Sequence, residues 1–128
     1  MKNIYIVDGI RTAVGSFNGT LASKSAVDLG VIVTKELLKR NSLNPENVDE
    51  TIFGCVLQAG IGQNVARQIS IHSGIPKEKT AMTVNMVCGS GLRSIVTAAQ
   101  IINADDANLI IAGGTESMSN APYLLKSL

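Results

Sequence analysis

The chain has 128 residues, of which 45% are hydrophobic, 16% charged and 3% aromatic, with a formal net charge of +1. This is the composition of a globular domain that is long enough to bury a hydrophobic core. The near-neutral charge, the few aromatic residues and the lack of a long apolar stretch argue against nucleic acid or a membrane as a partner.

Strand-like and helical patterns alternate along the chain. The predicted elements are a strand at residues 4–7, a helix that begins after the N-cap Ser25 and ends near Asn41, a strand at 51–56, a helix at 65–73, a strand at 81–86, a helix at 89–102 and a strand at 108–112. The alternation indicates βαβ units, so the predicted fold class is α/β, with helices on both faces of the sheet. The third helix is mostly apolar, and we expect it to be buried. The segment after Gly114 is predicted to be an ordered loop, and nothing beyond it indicates an end of the fold.

Cys88 stands at the junction of the third predicted strand with the third helix. A helix N-terminus favours a thiolate over a thiol, and its free N–H groups can stabilise the oxyanion that forms when sulfur attacks a carbonyl carbon. Gly89 and Gly91 leave room for a bulky substrate. The pattern also fits a small buried cysteine or, less well, a phosphate-binding loop that lacks the lysine of a Walker motif. Spacing alone leaves these alternatives open.

Four segments together resemble the thiolase family. They are residues 8–19 (DGIRTAVGSFNG), 56–68 (VLQAGIGQNVARQ), 84–93 (VNMVCGSGLR) and 112–123 (AGGTESMSNAPY). They occur in the family's order and cover nearly the whole chain. The resemblance implies that residues 1–128 form an incomplete thiolase N-terminal domain, a βαβαβαβ half-domain. This is most of the first half of a five-layered αβαβα sandwich, without its last strand, the loop domain and the C-terminal domain.

The resemblance also implies a chemistry. Cys88 is expected to be the nucleophile, carrying the acyl group as a thioester, with its backbone N–H contributing to an oxyanion hole. The segments are most similar to those of biosynthetic thiolases, acetyl-CoA C-acetyltransferases that interconvert two acetyl-CoA with acetoacetyl-CoA and CoA. Coenzyme A thioesters are then substrates, and no permanently bound cofactor or metal is expected. The family's catalytic His and second Cys lie outside these segments, and no residue that binds CoA can be named.

The remaining expectations concern two side chains and the location, assembly and alternative functions of the protein. His72 is expected on a helix face and Cys55 in the core, neither of them catalytic. With no export signal at the N-terminus, we expect free thiols and a cytoplasmic location. The resemblance implies a homodimer or homotetramer for the full-length protein, and an inactive fragment if the chain ends at Leu128. Two alternatives stay open: another condensing enzyme of the superfamily, such as a ketoacyl synthase or hydroxymethylglutaryl-CoA synthase, and a non-catalytic thiolase-like subunit.

Overall fold

Helices and strands alternate as predicted from the first helix onward. The structure, a computed structural model, describes residues 2–127. The elements are helix α1 (Ala26–Arg40), strand β1 (Glu50–Gly54), helix α2 (Val65–His72), strand β2 (Thr80–Val84), helix α3 (Ser90–Asn103) and strand β3 (Ile110–Gly114), with 3-10 turns at Pro45–Asn47 and Met118–Asn120. The predicted α/β class is confirmed.

The capping box predicted at the start of α1 is present. Ser25 Oγ accepts a hydrogen bond from the Asp28 N–H at 3.0 Å, and Asp28 Oδ2 accepts one from the Ser25 N–H at 2.9 Å. The two side chains thereby satisfy backbone donors that the first helical turn leaves free. The Ser25 N–H and the Ser25 hydroxyl both donate to Asp28 Oδ2, and they hold the pKa of the Asp28 carboxyl below its usual value.

The three strands form a parallel sheet in the order β2-β1-β3. Glu50 of β1 is level with Thr80 of β2 on one side and with Ile110 of β3 on the other. Because β1 lies between two strands and beneath helices, its residues after Glu50 are all buried. Such strands read as continuous apolar runs, which is why this one could be predicted.

The helices cover both faces of the sheet. The connection from β1 through α2 to β2 runs toward one edge of the sheet, and the connection from β2 through α3 to β3 runs back toward the other edge. Because such connections are right-handed, α2 and α3 lie on opposite faces of the sheet. The contacts agree, since α2 packs on β1, β2 and α1, whereas α3 packs on β1 and β3. The main core lies on the side of α1 and α2 and is built around Phe53, Val65, Ile69 and Ile111.

The prediction of a strand at residues 4–7 is wrong for the described chain. This segment belongs to no strand, and Tyr5, Ile6 and Val7 are 76%, 81% and 72% exposed. A β-branched apolar run favours extended backbone, but a strand forms only where a neighbouring strand accepts its hydrogen bonds. Neither edge of the three-stranded sheet pairs with it.

The expectation that α3 is buried also needs correction. Its buried positions are the small residues Ser90, Ser94 and Ala98, which face the sheet. The large apolar side chains point outward, with Leu92 70% exposed and Val96 40% exposed. The pattern predicted burial from hydrophobicity alone, whereas the described residues include nothing that packs on this outer face.

No helix among residues 2–127 combines the length and apolar character needed to cross a bilayer.

Candidate active site

Cys88 lies at the carboxyl edge of the parallel sheet. β2 ends at Val84, a tight turn follows, and α3 begins at Ser90 with Gly89 at the N-cap position. Cys88 is an exposed free thiol in this turn. Open α/β sheets bind ligands at this edge, beyond the carboxyl ends of their strands. The structure therefore places the predicted residue where a substrate can approach it.

The residue before Cys88 has an uncommon backbone. Val87 has φ = 50°, in the left-handed region that β-branched residues avoid. Holding a residue there costs on the order of 1–3 kcal/mol, so the surroundings must enforce it. Ser90 does part of this, because its Oγ accepts from the Met86 N–H at 2.8 Å and donates to the Val87 carbonyl at 2.6 Å.

Glycines let α3 approach the sheet closely at this point. A Cβ added to Gly54, the last residue of β1, would stand 2.6 Å from the Gly91 nitrogen. One added to Gly114, the last residue of β3, would stand 3.0 Å from the Gly91 Cα. The first turn of α3 thus rests directly on the backbone of two strand ends, which fixes the height of Cys88 above the sheet.

The start of α3 suits an anion. No side chain caps it, and its first turn has no acidic residue. The Cys88 N–H donates no hydrogen bond to any of residues 2–127. Free N–H groups and the positive end of the helix dipole stabilise a thiolate and can bind a developing oxyanion. This is the geometry expected of a nucleophile.

The second cysteine lies in a different environment. Cys55 follows β1 directly, is 1% exposed, and its Sγ lies 3.6 Å from Glu116 Oε1. Burial, together with the nearby Glu116 carboxylate, raises the pKa of the Cys55 thiol to about 12. A thiol with this pKa stays protonated near neutral pH and is a poor nucleophile. The structure agrees with the prediction that Cys55 is a core residue.

Glu116 connects the segments that follow β1 and β3. Its two carboxylate oxygens accept hydrogen bonds from the backbone N–H groups of Val56 and Leu57, each at 3.0 Å. Thr115, next to it, donates its N–H to the Gly54 carbonyl at 2.9 Å and its hydroxyl to the Ala26 carbonyl at 2.6 Å. These polar residues therefore act as scaffold for the edge of the sheet.

All four motif segments meet at this edge. Asn18 of the first segment donates its N–H to Ser119 Oγ of the fourth at 2.9 Å. Glu116 joins the fourth segment to the second, and Asn85 Nδ2 joins the third to the second by donating to the Val56 carbonyl at 3.3 Å. The segments that carry the family resemblance thus form one connected hydrogen-bonded unit beside Cys88.

One other predicted residue can be placed. His72 lies exposed in the last turn of α2, on the face of the sheet opposite α3, as predicted for a helix-face residue. Residues 2–127 contain no cluster of at least three His, Cys, Asp or Glu side chains able to hold a metal ion.

Comparison with known families bears on this arrangement. Residues 4–128 match the family described as thiolase, N-terminal domain. The chain belongs to the thiolase family.

Known thiolases are similar to this chain in sequence and in structure. The chain is 56% identical to an acetyl-CoA acetyltransferase of Syntrophomonas wolfei over 97% of its own length and 31% of the relative's. It is also 56% identical to one of Escherichia coli, over 98% of this chain and 32% of that one. The crystal structure of a thiolase from Ascaris suum in complex with coenzyme A matches with a TM-score of 0.89 and 50% identity, over 93% of this chain and 31% of that chain. The chain thus spans about a third of the length of these thiolases.

Three residues of the thiolase motifs have roles that the sequence alone did not indicate. Asn85, Ser90 and Glu116 all make side-chain bonds to the backbone around the Cys88 turn or the loop after β1. An Asn two residues before a turn residue is a known signal for an Asx turn, and could have been noticed for Asn85. Glu116 offered no such signal, because its partners lie about 60 positions earlier in the chain.

Proposed function

We propose that this thiolase chain contributes the acyl-accepting nucleophile of an acyltransferase, and that the nucleophile is Cys88. The observation that supports this most is the position of the exposed thiol, in a strained turn at the uncapped start of α3. The Cys88 thiolate attacks the carbonyl carbon of an acyl-CoA. A new C–S bond forms to Cys88, the C–S bond to CoA breaks, and CoA leaves as a thiolate that takes up a proton.

The proposed substrate is acetyl-CoA. The curated relatives are named acetyl-CoA acetyltransferases, and the structural neighbour holds coenzyme A. In the proposed reaction, a second acetyl-CoA loses a proton from its α-carbon, and the carbanion attacks the acetyl group on Cys88. Acetoacetyl-CoA forms and the Cys88 thiolate is released, and the reverse direction is thiolysis. Coenzyme A thioesters are substrates here, with no permanently bound cofactor.

The residues that take the α-proton and activate Cys88 are proposed to lie elsewhere in the whole protein. Two features of residues 2–127 support an incomplete thiolase N-terminal domain: the outward apolar side chains of α3 and the unpaired apolar segment at residues 4–7. A completed sandwich would cover both. The chain also spans only about a third of its relatives. Cytoplasmic location is proposed from the free thiols of Cys55 and Cys88, and a homodimer or homotetramer from the family resemblance.

The experiment that tests the proposal is intact-mass spectrometry of the longest natural product of the gene, after brief incubation with acetyl-CoA. We expect an acetyl adduct that is absent from Cys88→Ser and present in the matched variant Cys55→Ser. An adduct that persists in Cys88→Ser would contradict the assignment of the nucleophile. Absence of any adduct on the wild-type protein would favour a non-catalytic thiolase-like subunit. Release of CO2 from an added malonyl thioester, which then condenses with the acetyl group on Cys88, would favour a ketoacyl synthase.

A further inference from the structure

The side chain of Asn85 makes hydrogen bonds in two directions. Its Oδ1 accepts from the Val87 N–H at 3.1 Å, and its Nδ2 donates to the Val56 carbonyl at 3.3 Å. The first bond lies within the turn that carries Cys88, and the second reaches the loop that follows β1. One side chain therefore joins the nucleophile turn to a neighbouring loop.

The bond to Val87 acts at the strained residue of the turn. An Asn that accepts from the N–H two residues later forms an Asx turn, which restricts the intervening backbone. Val87, with φ = 50°, immediately precedes Cys88. The backbone angles of Val87 set the direction in which Cys88 leaves the turn, and hence the placement of its thiol relative to the N–H groups of α3.

The loop that accepts the bond from Asn85 at Val56 is itself held in place by Glu116. The Val56 N–H donates to Glu116 Oε2 at 3.0 Å, and Glu116 Oε1 accepts from the Leu57 N–H at the same distance. This matters because Asn85 is exposed, and a bond from an exposed side chain to a mobile loop would restrict little. A continuous path of hydrogen bonds therefore runs from Glu116 through Val56 to Asn85 and Val87.

We propose that Asn85 is a positioning residue, which holds Val87 in the left-handed conformation and so presents the Cys88 thiol to the start of α3. Ser90 restrains the same turn from the helix side, through the Met86 N–H and the Val87 carbonyl. Asn85 restrains the Val87 amide. The inference rests on the proposed role of Cys88 and adds a residue that acts through the backbone without touching the substrate.

The test measures the reactivity of Cys88 separately from acyl transfer. The longest natural gene product is alkylated with iodoacetamide over a pH series, and Cys88 and Cys55 are quantified by peptide mass spectrometry. The variants are Asn85→Ala and Asn44→Ala. Asn44 is a matched control, because its Oδ1 also accepts from the N–H two residues later at 3.1 Å, at an exposed site in the turn after α1.

We expect Asn85→Ala to slow alkylation of Cys88 about two- to ten-fold at every pH of the series, the equivalent of one typical hydrogen bond. Asn44→Ala should leave the rate unchanged. In both variants Cys55 should stay protected, since it is 1% exposed in the folded chain.

Two outcomes would overturn the inference. The first is wild-type alkylation of Cys88 in Asn85→Ala, at every pH. The second is loss of Cys55 protection in Asn85→Ala, which would mean that Asn85 supports the fold as a whole. Both are independent of turnover. If wild-type protein forms no acetyl adduct, the proposed function fails, whereas the alkylation comparison still reads the effect of Asn85 on the thiol.

Discussion

Gly54 and Gly91 lie where α3 approaches the sheet, since a Cβ on Gly54 would stand only 2.6 Å from the Gly91 nitrogen and nearer still to the Ser90 carbonyl carbon. The atoms that would be struck belong to the backbone and cannot rotate away. We predict that Gly54→Ala lowers the free energy of unfolding by about 1–3 kcal/mol and slows alkylation of Cys88, because α3 must move off the strand ends. Thermal unfolding and thiol labelling measure the two effects.

The control for Gly54 is Gly9→Ala. A Cβ at Gly9 would meet no heavy atom within 4 Å, and its φ lies outside the left-handed region. Equal losses of stability in the two variants would show that the close contact at Gly54 is not the cause.

Val87 gives a second prediction, in which the glycine variant is more stable than the alanine variant, the reverse of the usual order. At φ = 50°, glycine is unstrained, whereas any L-residue costs about 1–2 kcal/mol. We therefore expect Val87→Gly to be more stable than Val87→Ala by about 1 kcal/mol. At Val96 in α3, glycine should instead be less stable than alanine by about 1 kcal/mol. Chemical denaturation of the four variants measures both differences, and the same order at both sites would contradict the strained turn.

A third prediction concerns acid stability and Asp49. The N–H groups of Asn108 and Leu109 donate to Asp49 Oδ2 at 2.8 and 3.1 Å and hold the pKa of this carboxyl below its usual value, as does nearby Lys79 to a smaller extent. A depressed pKa in the folded state contributes stability above the unfolded pKa, and this contribution disappears as the pH falls through the folded pKa.

Asp49→Asn should accordingly be less stable than wild type at neutral pH, and the difference should shrink as the pH falls below about 3.8, the ordinary pKa. Melting temperatures between pH 7 and pH 2.5 measure the difference. Asp106→Asn is the control, because the Asp106 carboxylate accepts no hydrogen bond from residues 2–127. A gap that stays constant down to pH 2.5 would contradict the role of the Asp49 charge.

A fourth prediction uses the outer face of α3. If the rest of the protein covers Leu92, now 70% exposed, Leu92→Glu should have opposite effects in two contexts. In a piece ending at Leu128 it should increase the monomer fraction in size-exclusion chromatography, because the glutamate places a charge within an exposed apolar face that promotes association. In the longest gene product it should lower the melting temperature, because a charge is then buried. A cooperative, monomeric unfolding transition of the wild-type piece would contradict the proposed incomplete domain.

Local signals explain what could be predicted from the sequence. The Ser25–Asp28 capping box, the apolar run of β1 and the glycines around Cys88 each act over a few residues. Such features are visible in a single sequence, and they located Cys88 correctly at a strand–helix junction.

Non-local contacts explain what could not be predicted. The run at residues 4–7 is strand-like in composition, yet none of the described strands pairs with it. The left-handed φ of Val87 carries no sequence signal, because valine disfavours it. The bonds that Glu116 makes depend on bringing together segments about 60 positions apart, which periodicity does not reveal.

The order β2-β1-β3 has a consequence for synthesis on the ribosome. The central strand acquires its second neighbour only after residues 110–114 have been made, and Glu116 must follow before the loop at Val56 is tied down. Pairings over such sequence separations form late in folding. Cys88 therefore leaves the ribosome well before the framework around it exists. The hydrogen bonds from Asn85 to Val56 and from Val56 to Glu116 can therefore form beside Cys88 only after the downstream chain has arrived.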